Sequence, residues 1–279
     1  MQRILSTFII FVSAFLLFQI QPILSKELLP EFGGGASVWS TSLFFYQSML
    51  LLGYLYAHLL SRYQLKRQLF IHTLLVALSS IITFYTIEVS LFLSLTPAWS
   101  VIAKLFLQVG LVFMLLSATS VLLQRWYIES TAMTVPYQWY SLSNLGSLLA
   151  LLSYPFIFEV LFSIDEQKSY WTAGLFAYCI LLLCLVYVLF SNGSIADKAI
   201  TKSKTTLLVK PNWLWIAFSA TSSMMLIATT QMISINIPPM PLIWALPLVI
   251  YLLTFSYAFA SAKSYNRAHW TYLLIFSAF

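Results

Sequence analysis

Gln19, Gln21, Lys26, Lys104, Gln108 and Glu159 are the residues of this sequence whose types and positions suit solute binding. Each lies in or at the edge of a long apolar run, where a polar side chain is costly unless it has a partner. Lys104 and Gln108 are four residues apart, so on a helix they share one face. If their helices are antiparallel neighbours, Lys104 and Glu159 meet near one membrane boundary, and leaving either unpaired there costs roughly several kcal/mol. Three readings stand for Lys104 and Glu159: a structural ion pair, a site for a small solute or ion, or simple placement at the membrane interface. Upstream, Pro22 and Pro30 are expected to bracket a charged turn that carries Lys26, Glu27 and, just beyond, Glu31. Gly33, Gly34 and Gly35 then allow positive φ or a close backbone approach. That stretch reads either as a Gly-rich outer hairpin with Lys26 snorkelling to the interface, or as a binding lip.

Other chemistries find no footing. The glycine triplet follows no strand and precedes no Lys-Ser/Thr pair, so it is not a phosphate loop. Cys179 and Cys184 are five residues apart and fall on different helix faces, which implies neither a disulfide nor a metal site. No zinc, haem or iron–sulfur spacing occurs, so no metal and no cofactor are expected. His58 and His72 flank the segment 61–68 and read as interfacial packing; Asp197 lies in a lysine-rich stretch remote from both. The aromatic stretch 124–143, with Arg125, Trp126, Trp139 and Tyr140, reads as a membrane-interface belt. Asn144, Gly146 and Ser147 open the next apolar run with the small residues that close helix packing needs.

The elements that would position these residues are membrane helices. Of the 279 residues, 61% are hydrophobic and only 8% charged, whereas soluble domains carry about 25% charged residues. A soluble enzyme, a nucleic-acid-binding domain and a disordered chain are all excluded. About 20 apolar residues cross a bilayer, which predicts an all-α polytopic membrane bundle. Its eight complete spans are expected at 4–24, 38–60, 69–91, 101–123, 145–162, 171–190, 213–232 and 242–260. A ninth begins near Trp270, and ten helical residues rise only about 15 Å. The expectation is a piece of a longer protein, or a tail that does not span. The first run is too long for a signal peptide and lacks a small-residue cleavage site.

Of the 14 Lys and Arg residues, Lys26, Lys104 and Lys168 fall on one side of this topology and the rest on the other. The excess of positive charge marks the cytoplasmic side, so the N-terminus is expected inside. The acids lean the other way, with Glu27, Glu31, Glu88, Glu159, Asp165 and Glu166 outside. Three parts follow: a first six-helix membrane half (1–190), a basic cytoplasmic linker (191–212) and the start of a second membrane half (213–279). The sequon Asn192-Gly193-Ser194 lies in that linker and is expected to stay unmodified. Trp39 with Tyr46 and Trp244 with Tyr251 share a seven-residue spacing. That is a faint echo of two parallel six-helix halves, as in major facilitator transporters.

Gln21-Pro22, Lys26, Leu29-Pro30, Phe32-Gly33-Gly34, Val38-Trp39, Phe45, Gln47 and Gly53-Tyr54-Leu55-Tyr56-Ala57-His58 form one motif set. Pro136-Tyr137, Ser143-Asn144, Gly146 to Ala150, Ser153-Tyr154-Pro155 and Glu159 form a second, and Pro241 to Pro247 a third. Together they resemble a bacterial membrane family in which a transporter-like region is fused ahead of a spermidine-synthase-like domain. The resemblance implies a multi-pass protein of the bacterial inner membrane and a distantly major-facilitator-like fold. It also implies a soluble aminopropyltransferase-like partner domain, none of which lies within these residues. The major-facilitator signature between the second and third spans survives only as Arg62 and Lys66-Arg67; its glycines and its Asp are missing.

Two functions are therefore weighed most heavily. One is transport-like handling of a small cationic, polyamine-like solute, and it expects a water-accessible cavity at the six polar residues. The other is a non-transporting scaffold for a synthase-like enzyme domain, and it expects a solid bundle. A membrane-embedded enzyme is a third and weaker reading. Partners are the lipid bilayer and that domain, with no nucleic acid.

Overall fold

A computed structural model describes residues 1–33, 36–86, 96–136, 138–191, 212–236, 241–260 and 266–278. Among these the chain is all helical. The helices are α1 (Gln2–Phe32), α2 (Ala36–Leu60), α3 (Leu65–Thr86), α4 (Pro97–Thr131), α5 (Gln138–Leu161) and α6 (Ile164–Ser191), then α7 (Trp213–Asn236), α8 (Pro241–Ala260) and α9 (Arg267–Ala278). Helices α1 to α7 are long and apolar enough to cross a membrane, and α8 contains the shorter apolar stretch Leu246–Phe259. Gly34, Gly35, Glu88, Tyr137, the sequon at Asn192 and the lysines between Lys198 and Lys210 lie outside the described residues.

Helix α1 is the centre of the bundle. It packs against α4, α5 and α6, while α2 and α3 lean on α4, α3 also touches α6, and α8 lies along α5. Leu16, Ile20, Ile23, Leu24 and Leu28 of α1 are buried in one core with Phe113, Leu116 and Leu175. The small residues of α5 do the packing expected of them: a Cβ on Gly146 would come within 2.8 Å of the Phe11 carbonyl oxygen. Buried tryptophans must satisfy their indole N–H, and here they do so across helices. Trp171 donates to the Leu16 carbonyl (2.8 Å), Trp139 to Thr7 Oγ1 (3.1 Å) and Trp126 to Gln68 Oε1 (3.0 Å). His72 is fully buried between Tyr56 and Trp126 rather than interfacial, because α3 begins at Leu65 and carries it two turns into the bundle. Cys179 and Cys184 are free thiols.

One expectation fails at the end of α1. No turn forms between Pro22 and Pro30; the helix runs through both to Phe32. A proline inside a helix removes one N–H donor and strains the carbonyl before it. The carbonyls that lose their donors are those of Phe18 and Lys26; next to the first, Gln21 Nε2 bonds the Leu17 carbonyl at 3.3 Å and the Tyr46 hydroxyl reaches the Gln21 carbonyl at 3.4 Å. The stop comes at Gly33, whose φ of 84° suits glycine, with its N–H bonded to the Leu29 carbonyl at 2.9 Å. The extension carries Lys26, Glu27 and Glu31 on a rigid helix.

Candidate functional site: a charged cluster at one end of the bundle

Residues four apart on α1 share a face, and Glu27 and Glu31 both point towards α4. Lys104 of α4 pairs with Glu31 Oε2, and its Nζ lies 3.9 Å from Glu27 Oε1. Gln108, one turn on, donates to Glu27 Oε1 at 3.2 Å. From α6, Lys168 Nζ approaches Glu27 Oε2 at 3.3 Å and Asp165 at 3.7 Å. Lys26, about 100° around α1 from Glu27, faces α5 instead and bonds Glu159 at 3.0 Å. Glu27 is thus the hub, held by two lysines and an amide from two other helices.

The expected pair of Lys104 with Glu159 does not form. Both residues find partners on α1, because the uninterrupted helix brings three charges to a position between α4 and α5. Lys26, Lys104, Gln108 and Glu159 do converge on one end of the bundle, as their sequence positions implied. Gln21 bonds within its own helix, and Gln19 lies two turns deeper, 2% exposed, with neither amide atom partnered.

Local backbone irregularity accompanies the cluster. Helix α4 widens into a π turn at Phe106–Gly110, which contains Gln108; α5 does so at Tyr154–Phe158, immediately before Glu159. The second follows from Pro155, which cannot supply its N–H to the ladder. Wide turns of this kind re-aim side chains and are frequent at functional sites. Helix α6 starts at Ile164, with Ser163 and Glu166 forming a reciprocal capping box, N–H of Ser163 to the Glu166 carboxylate at 2.8 Å.

Glu27, Glu31, Asp165 and Lys168 were not among the six candidates. The first two were read as turn residues because of the flanking prolines. Lys168 fell outside a span expected to begin at Trp171, yet α6 starts seven residues earlier and leaves it 6% exposed. The available signal was the spacing of Glu27 and Glu31, which places two carboxylates on one helical face.

Burial ranks these contacts. The side chains of Lys104 and Lys168 are each 8% exposed, against 34% for Lys26 and 26% for Glu159. A pair as open as Lys26 with Glu159 contributes no more than about 1 kcal/mol. Lys26→Met and Glu159→Gln are therefore each expected to shift thermal unfolding in detergent only slightly, and to lose even that difference in high salt. A large loss from either would mean the pair is far better sequestered than its exposure indicates.

Among the described residues no group of three or more His, Cys, Asp or Glu is placed to hold a metal ion. In comparisons with known proteins, no family model, no curated protein and no solved structure matches this chain.

Proposed function

We propose that this chain is a multi-pass scaffold of the bacterial inner membrane, which positions a soluble aminopropyltransferase-like domain in a fused or partner chain. The enzyme-domain part of this reading rests on the sequence resemblance. The non-transporting part rests on one observation: the charges of the cluster are spent on one another. A carrier for a small cation needs a carboxylate free to change partners and a space beside it. Here Glu27, Glu31 and Glu159 are each paired with a lysine, while Asp165 lies 3.7 Å from Lys168 with its side chain 85% exposed. A cavity beside Gln19, lined also by Phe158 and Gln167, has no charged residue in its lining.

One feature favours the transport-like alternative for a cationic, polyamine-like solute. Four carboxylates, Glu27, Glu31, Glu159 and Asp165, face three ammonium groups, Lys26, Lys104 and Lys168, which leaves the cluster one negative charge in excess. Radiolabelled spermidine uptake into liposomes carrying the chain separates the two readings. The scaffold predicts uptake no greater than in empty vesicles; saturable uptake that Glu159→Gln abolishes would replace it with the carrier. Conversion of a polyamine precursor by this chain alone would overturn both.

The orientation belongs to the same proposal. With the N-terminus in the cytoplasm, Tyr63, at the α2–α3 turn, faces inward and Asp165, at the start of α6, outward. Both are exposed. An impermeant maleimide added to intact cells should modify Asp165→Cys and spare Tyr63→Cys. The reverse pattern would invert the topology.

A further inference from the structure

A cavity of about 270 Å³ lies between α1, the end of α5 and the first turns of α6. Its walls are largely aromatic, with Phe11 and Phe15 from α1, Phe158 from α5, and Tyr170 and Trp171 from α6. Two amides also line it, and both are buried: Gln19 is 2% exposed and Gln167 1%. Gln167 uses its Nε2 to bond the Phe158 and Phe162 carbonyls at the end of α5, at 3.1 and 2.8 Å. Its Oε1 has no partner, and neither Oε1 nor Nε2 of Gln19 has one.

Buried polar atoms without partners cost about 1–3 kcal/mol each, so three beside one cavity call for an occupant. We infer that this cavity is a binding site for a neutral, hydroxyl-bearing amphipath drawn from the bilayer. The class follows from what is unpaired. Two amide oxygens call for donors and one amide nitrogen for an acceptor; one hydroxyl donates to one of the oxygens and accepts from the nitrogen. A ketone or ester carbonyl would leave both oxygens unmet. No lining residue is ionisable in the neutral range, so nothing compensates a charged head group. The aromatic walls take an apolar chain or ring. Gln19 sits eight residues below Glu27 on α1, about 12 Å along the helix, which places the site beneath the charged cluster and at hydrocarbon depth. Tyr170, beside it, is 53% exposed, so the site adjoins the outer surface of the bundle.

The test uses the whole chain in phosphatidylcholine liposomes and 3-azioctanol, a photoactivatable diazirine analogue of 1-octanol. After illumination, the modified residues are mapped by peptide mass spectrometry. Labelling is expected at Phe158, Tyr170 or Trp171, with excess 1-octanol suppressing it. Gln19→Met keeps the volume but removes donor and acceptor, and it should lower labelling by roughly tenfold, the effect of about 1.4 kcal/mol. Val12→Phe, which fills the cavity from α1, should abolish it. A hydrocarbon diazirine of equal length, used on the unaltered chain, should label these residues far less. Equal labelling by the hydrocarbon probe would overturn the proposal. So would labelling unchanged in Gln19→Met, or probe confined to bundle-surface residues such as Leu183.

Discussion

Replacing Glu27 by glutamine is expected to destabilise the protein by about 3 kcal/mol. Removing one member of a buried ion pair leaves the other charged and desolvated, which costs about 3–5 kcal/mol in a fully buried site. Glu27 faces two such lysines. Lys104 keeps Glu31 after the change. Lys168 keeps only Asp165, whose side chain is 85% exposed and a weak partner. The loss should therefore come mostly from Lys168. If so, the double variant Glu27→Gln with Lys168→Met will be more stable than Glu27→Gln alone, by about 1 kcal/mol or more. Glu31→Gln should cost less than Glu27→Gln, since Glu31 is one-third exposed and touches a single lysine. Thermal unfolding of the purified protein in detergent measures these three variants and Lys168→Met alone. Additive losses in the double variant would show that the hub does not couple Lys168 to α1.

The apolar architecture was legible from composition and run length alone. Helices occur where eight spans and a ninth segment were expected, and Lys26, Lys104 and Lys168, assigned to one side by alternation, do gather at one end of the bundle. Gln2 Nε2 bonds Ser130 Oγ at the opposite end, 2.6 Å apart, which fixes α1 and α4 as antiparallel. The helix ends were the unreadable part. Hydropathy windows stop where polar residues begin, but a helix stops where its backbone loses its partners. Pro22 and Pro30 looked like breakers, yet α1, packed on several sides by other helices, runs on through both. Misplacing that end by about two turns hid the hub, because Glu27 and Glu31 then belonged to no helix face. Starting α6 too late concealed Lys168 and Gln167 in the same way. Partner choice within a cluster depends on which helix stands in the middle, and no single-sequence pattern announces that α1 does.

The second large effect is expected at Gly53, where α2 meets α4. A Cβ built there would overlap Ser117 Oγ and come within 2.5 Å of the Met114 carbonyl oxygen. Ser117 can rotate away, though it would give up its 2.7 Å bond to that same carbonyl. The carbonyl cannot move without its helix, so relief requires α2 to back off. Glycine to alanine normally favours a helix by about 1 kcal/mol, and forcing a methyl into a packed contact costs about 1–3 kcal/mol or more. With backbone as the obstacle the second term should win, and Gly53→Ala should lose about 2 kcal/mol. Gly174→Ala supplies the contrast within the same protein. Its Cβ would meet only the Leu16 Cδ2 methyl, at 3.0 Å. A leucine tip can shift, so that variant should be neutral or slightly stabilised. Adding Ser117→Gly to Gly53→Ala should restore little, because the Met114 carbonyl remains. Full restoration would mean that the serine, rather than the backbone, sets how closely α2 and α4 approach.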